Sequence, residues 1–312
     1  MGMGGTQFWL QALAGAVWSL YWPMLALLLL ATLIERAAPV ERGQPVAPLL
    51  FNLGWYACYM LIFVLLSWSA WGGAINAAMG WAGAPWLPLP PAQGFWSEAG
   101  EIAVVLLAFD FLAYWLHRAQ HAVPAFWAVH RMHHDERHLH AATGVRQQWL
   151  QLPFVQLALL LPLAWLFGPI ALHPAVFWTA AGVSVFQHMN LRLQLGRFTP
   201  LLMAPQLHRL HHATDARVYN TNYATLLPLW DMLFGTYRAP APGQFDATGI
   251  AGVAPTRSFW RALVLPALLW WPVQKPARGA GREGRQAGRR QRARGGAESA
   301  PHLPARLKRT RR

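Results

Sequence analysis

Long uncharged blocks dominate this chain and set its class. Residues 1–34 carry no charge before Glu35, residues 43–97 carry none between Arg42 and Glu98, and residues 147–191 carry none again. Residues 102–116 hold a single acid, Asp110. Such blocks exceed the roughly 20 apolar residues that span a bilayer. The pattern therefore predicts an all-α integral membrane protein with about four transmembrane helices. A first span is expected near 8–33, too long and too Trp-rich for a cleaved signal and with no basic segment before it. A second is expected near 49–70, followed by a Gly/Pro/Trp-rich interfacial connection over 71–97. A third helix near 99–120 runs into His117 and His121. The last block is long enough for a hairpin of two helices, whether or not each arm crosses fully, and FGPIALHP over 167–174 supplies the break.

Charge then orients these elements. Arg36 and Arg42 follow the first span; Arg118, Arg131, Arg137 and Arg146 follow the third; Arg192, Arg197, Arg209 and Arg217 follow the hairpin. The 71–97 connection has no Lys or Arg. Because basic residues favour the cytoplasmic side, the expected arrangement is multi-pass, with the N-terminus outside and the histidine phrases on the cytoplasmic face. Much of the net charge of +14 sits in residues 275–312, where 13 Lys or Arg face only Glu283 and Glu298. That Gly/Arg/Ala/Pro-rich tail lacks apolar periodicity and is expected to be disordered, in contact with anionic lipid headgroups or serving solubility. No nucleic-acid partner is expected. Cys58, the only cysteine, excludes an intrachain disulfide and a cysteine-based metal site within one chain. No glycine-rich nucleotide loop follows a strand pattern, and no heme-binding module is visible, so any electrons required come from another protein.

The chemistry lies in the histidines. HRMHH places His130, His133 and His134 in the same spacing that HRLHH gives His208, His211 and His212, and HRAQH adds His117 and His121. On a helix, positions i, i+3 and i+4 share one face, so each phrase aims two or three imidazoles at a common point. With His188 these make nine candidate ligands. One tetrahedral zinc takes four ligands and a catalytic zinc three, so nine suit two metals better than one. Imidazole serves iron, zinc, copper and nickel alike. His138 and His140 are expected at the mouth of the site, whereas His173, in a Pro-flanked turn, and His302, in the tail, read as solvated. Carboxylates and amides should stand behind the imidazoles. Asp110 is the best candidate: it lies seven residues before His117 on one helix face, in an apolar span where an acid is functional by default. Tyr114 shares that face, and Asn190, Asp215, Asn222 and Asp231 are further candidates.

The order DFLAYWLHRAQH, FWAVHRMHHD, FQHMNLRL, LHRLHHATD and NYATLLPLWDMLFGTY resembles the fatty acid hydroxylase and sterol desaturase superfamily of membrane non-heme di-iron enzymes, over about residues 105–238. The resemblance implies that the nine histidines ligate two iron ions, with His188 the isolated ligand between the two halves, and that a four-helix anchor carries a cytosolic cap. It also implies O2 as co-substrate, a lipid substrate of fatty acyl, sterol, isoprenoid or ether type, and hydroxylation of a C–H bond, with desaturation as the alternative. Two electrons would come from a separate donor, a ferredoxin or a cytochrome b5 type with its reductase. The domain plan is membrane helices and connection over 1–100, catalytic domain over 101–240, apolar segment over 241–274 and tail over 275–312. Two departures stand out. Asp135 occupies a position where Ser is common, and Arg146, Gln147, Gln148, Trp149, Leu150 and Gln151 replace an Arg-x-His-x-x-Glu phrase. The Arg-Gln version is similar to the alkylglycerol monooxygenase-like branch. A histidine-rich metal-binding or transport protein is the rival class, but it would spread ligands through the membrane depth, whereas these phrases follow the ends of apolar blocks.

Overall fold

The computed structural model describes residues 15, 17–67, 69–81, 83–215 and 217–270. The chain divides into two units, Met1–Leu268 and Leu269–Arg312, and the fold belongs to the first. The basic tail lies outside the described residues, as does much of the N-terminal half of the first expected span. Among the described residues there are helices and two isolated bridges but no strand. In chain order the α-helices are α1 (Trp22–Glu35), α2 (Val46–Ser67), α3 (Ala70–Trp81), α4 (Phe95–Ala122), α5 (Pro124–His134), α6 (Gln151–Phe167), α7 (Pro174–His188), α8 (Pro205–His211), α9 (Leu229–Leu233) and α10 (Phe259–Trp270).

Two of these, α2 and α4, are long and apolar enough to cross a membrane. At 1.5 Å per residue, the 28 residues of α4 rise roughly 42 Å. Both leave large apolar side chains uncovered, with Leu61 and Leu65 on α2 and Val104 and Leu107 on α4 between 42% and 57% exposed. Bare surface of this kind suits a hydrocarbon solvent. Among the described residues these two meet the test of length and apolarity, fewer than the four expected. The described part of the first block ends in an α-helix of 14 residues, and α7 has 15, a rise of roughly 22 Å. α6 is interrupted by a π turn at Gln156–Leu160 and followed by a 3-10 turn at Gly168–Leu172. An uncharged run records apolarity but not helix continuity, so it overstates the number of full-length spans.

Three apolar clusters position the site. Met24, Leu28, Tyr56 and Val185 lock α1, α2 and α7 around the 3-10 turn Ala141–Thr143. Val105, Leu163, Phe167 and Val176 join α4 to α6 and α7. Tyr114, Met203, Leu207 and Tyr223 hold α8 and the segment before α9 against the last turns of α4. Between α4 and α5 the chain reverses in one residue. Val123 is extended, as a residue before proline prefers, and Pro124 opens the next helix. That reversal brings the His130 face of α5 onto the His117 face of α4.

Candidate metal centre

Four elements deliver the nine histidines to one place. α4 ends with His117 and His121, α5 with His130, His133 and His134, and α7 with His188. α8 carries His208 and His211, and His212 is its C-cap. Their ligand-capable nitrogens fall into two groups, each within 4.8 Å: His117, His121, His130, His134 and His211 form one, and His133, His188, His208 and His212 the other. The groups abut, with the His134 and His212 rings stacked at 4.2 Å.

The donor set fits metal ions. His121 and His130 Nε2 lie 3.2 and 3.0 Å from His134 Nε2, and the second group runs His133, His188, His208, His212 at 3.0, 3.0 and 3.1 Å, again between Nε2 atoms. His117 and His211 donate Nδ1–H to the Tyr223 and Thr221 carbonyls, each at 2.7 Å, and His188 donates to the Ser184 carbonyl. His121 Nδ1 donates to Asn220 Oδ1 at 3.2 Å. A ring that donates from Nδ1 presents a bare lone pair at Nε2. His117 and His211 Nε2 are buried with no hydrogen-bond partner. Lone pairs facing one another out of water call for a cation between them. The separation also matches, because two nitrogens about 2.1 Å from one ion and at right angles lie about 3.0 Å apart. Burial first, and neighbouring imidazoles after it, push His130, His134, His208, His211 and His212 well below the ordinary histidine range. The rings are therefore neutral, the form that binds metal.

Carboxylates act on this centre through the backbone. Asp110 accepts N–H bonds from Thr225, Leu226 and Leu227 at 2.7 to 2.9 Å. Asp231 accepts from the Tyr223 and Ala224 N–H groups and from the Thr236 hydroxyl. The two acids thus fix the segment whose Thr221 and Tyr223 carbonyls orient His211 and His117. Asn222, at φ 58, bonds Arg238 through both its amide oxygen and its amide nitrogen. Asn190 ties the end of α7 to Glu41 and takes a bond from neither histidine group; its own N–H donates to Glu35. Tyr114 bonds Thr236, and Asp215 lies off the centre with Arg217.

Arg146 is the hub behind α5. Fully buried, it donates to the Met132 and Thr256 carbonyls, Asn52 Oδ1 and Asp135 Oδ1, while Asp135 also accepts from Thr256. Gln148 donates to the Ala262 carbonyl of α10. Glu41 pairs with Arg209 of α8 and with His138. His140 faces Asn52, so neither His138 nor His140 joins the metal-ligand groups. His173 caps α7 and lies 3.3 Å from Glu98, a third of its side chain exposed, which corrects its reading as a solvated turn residue. Backbone acceptors such as Ser184, Thr221 and Tyr223 left no signal in the sequence, since any residue type supplies a carbonyl.

Two cavities reach the histidines. One, of about 260 Å³, runs from Phe109, Val155 and Leu159 up to His117, His130, His133, His188 and His208. The other, of about 520 Å³, meets the first group from outside, along His121, Trp127, His134 and Asn220.

Fold and centre together define a helical protein with membrane-length helices and a nine-imidazole site fitted for metal ions. Over residues 102–236 the chain matches the fatty acid hydroxylase family model. It is 33% identical over 144 residues to the alkylglycerol monooxygenase of Homo sapiens, covering 46% of this chain and 32% of the relative. It is 27% identical over 157 residues to an ornithine lipid hydroxylase of Rhizobium tropici, covering 50% and 47%, respectively. A very-long-chain aldehyde decarbonylase of Oryza sativa is 28% identical over 179 residues, with 51% and 27% coverage. The chain thus spans about a third to a half of the length of the first curated relatives it matches. No solved structure matches it.

Proposed function

We propose that the protein is a membrane-bound non-heme di-iron oxygenase that uses O2 and two external electrons to hydroxylate a C–H bond of a lipid. The observation that carries this reading is the 260 Å³ cavity, apolar at one end and closed by five imidazoles from both metal-ligand groups at the other. When bound, iron would supply the reduction of dioxygen and the removal of a hydrogen atom from an unactivated carbon. All nine histidines would hold it. The chain's own share is placement. Phe109, Val155 and Leu159 receive hydrocarbon and keep water out, while the Tyr223, Thr221 and Ser184 carbonyls hold the Nδ1 protons of His117, His211 and His188 so that Nε2 faces the metal.

Asp110 acts as a positioning residue through the segment it grips, and Asn190 through the end of α7. The arginine distribution supports a cytoplasmic centre reached from a multi-pass anchor. Electrons would arrive from a separate ferredoxin- or cytochrome b5-type donor. Removal of a second hydrogen would give desaturation at the same site, and the decarbonylase relative supports more than one outcome among similar proteins. The test is lipid extraction from cells expressing the protein under isotopically heavy dioxygen. A lipid carrying one heavy oxygen, absent with His211→Ala, is expected; identical extracts from both would contradict the reading.

A further inference from the structure

The cavity changes character on its way to the histidines. Its outer wall is hydrocarbon, but directly beside the imidazoles it is lined by four glutamine amides, Gln120, Gln147, Gln151 and Gln187. Three are engaged within the protein. Gln120 donates to Gln151 Oε1 at 2.5 Å, and Gln147 donates to the Gly144 carbonyl at 3.4 Å while lying equally far from His133 Nδ1. Gln187 differs. It is 4% exposed, adjoins His188 at the end of α7, and its Oε1 is buried without a partner. A hydrocarbon chain threaded to the metals would leave that oxygen dry and unsatisfied, which folded proteins avoid. A donor group brought in beside it would satisfy it.

We infer that Gln187 Oε1 accepts a hydrogen bond from an O–H or N–H group of the substrate, so that the lipid is attacked close to a polar donor rather than in an unmarked stretch of acyl chain. The bond fixes the chain's depth in the cavity, and hence which carbon faces the histidines. This assignment rests on the oxygenase reading for its chemistry but not for its binding test.

Binding is read on the metal-loaded full chain in lipid nanodiscs, by displacement of radiolabelled 1-hexadecanol. The competitors are hexadecanamide, hexadecyl methyl ether and hexadecane. The alcohol and the amide should displace about tenfold better than the ether, which accepts but cannot donate, and better than the alkane. Gln187→Met, close in volume and apolar, should erase that preference while leaving metal content unchanged. Alcohol preferred over amide, or the reverse, tells a hydroxyl lipid from an amide lipid. Equal displacement by alcohol and ether in the unaltered protein overturns the inference without any variant, as does a preference that survives in Gln187→Met. Donor preference without oxygen-dependent turnover would remove the oxygenase reading and keep the Gln187 assignment; turnover without preference would do the opposite.

Discussion

Arg146 donates to Asp135 across 2.6 Å with both side chains sealed from water, one residue beyond His134. The pair closes a set of bonds in which Arg146 also grips the backbone of Met132, so the helix end that carries His133 and His134 is held from behind. Breaking a buried pair from one side leaves a charge with no partner. Arg146→Met should therefore cost about 3–5 kcal/mol, read as a fall in thermal unfolding midpoint in detergent. An unchanged midpoint would mean that α5 is held by apolar packing alone.

Asp110 grips three consecutive N–H groups with one carboxylate. An amide offers one acceptor oxygen and turns two donors on the same groups. Asp110→Asn should loosen the segment that orients His117 and His211 and weaken metal binding about 10- to 100-fold. Anaerobic titration with ferrous ion measures this directly, and an unaltered affinity would show that the carbonyls hold their places without the acid.

Gly144 sits where no side chain fits. A Cβ there would come within 2.8 Å of the Ser184 carbonyl oxygen, the acceptor that orients His188. Gly144→Ala should cost about 1–3 kcal/mol through overpacking and lower metal affinity with it. Gly182 of α7, with open space around its Cβ position, is the control: Gly182→Ala should stabilise by about 0.5–1 kcal/mol, as alanine does in a helix. Equal behaviour of the two variants in thermal unfolding would contradict the close approach.

Glu41 carries a dependence on pH. Burial alone would raise its carboxyl, but the Arg209 charge and the bonds from His138, Arg209 and Gln44 outweigh that and hold it below the usual carboxylate range. A depressed folded-state pKa stabilises above the unfolded value, and that stabilisation is lost as pH falls through the folded one. Glu41→Gln should therefore be less stable than the unaltered protein by about 2 kcal/mol near neutrality, and the gap should close as pH falls below about 4.5 and through the folded value. A gap that stays constant with pH in denaturant titrations would assign Glu41 a packing role.

Much of the centre was readable from spacing. The i, i+3, i+4 phrases brought His130, His133, His134, His208, His211 and His212 to shared faces, and the structure gathers all nine candidates into two groups. Asp110 was legible as an expensive acid in an apolar span, but not its route, because the residues it holds present backbone rather than side chains. Arg146 read as a basic residue near a span end and as the start of the Arg-Gln phrase, but a pattern in one dimension does not show that Asn52, Asp135 and Thr256 converge on it. The span count differed for another reason: hydropathy does not encode helix continuity, and a π turn at Gln156–Leu160 interrupts α6 within an unbroken apolar run.

The proposed function requires nine imidazoles to hold two irons. Metal content per chain, measured after detergent purification and anaerobic ferrous reconstitution, tests it most directly, with His211→Ala beside the unaltered protein. About two irons per chain, lost in the variant while membrane insertion persists, is the result expected. Zinc alone, resisting exchange for iron, would contradict the account and point to a hydrolytic, structural or transport role.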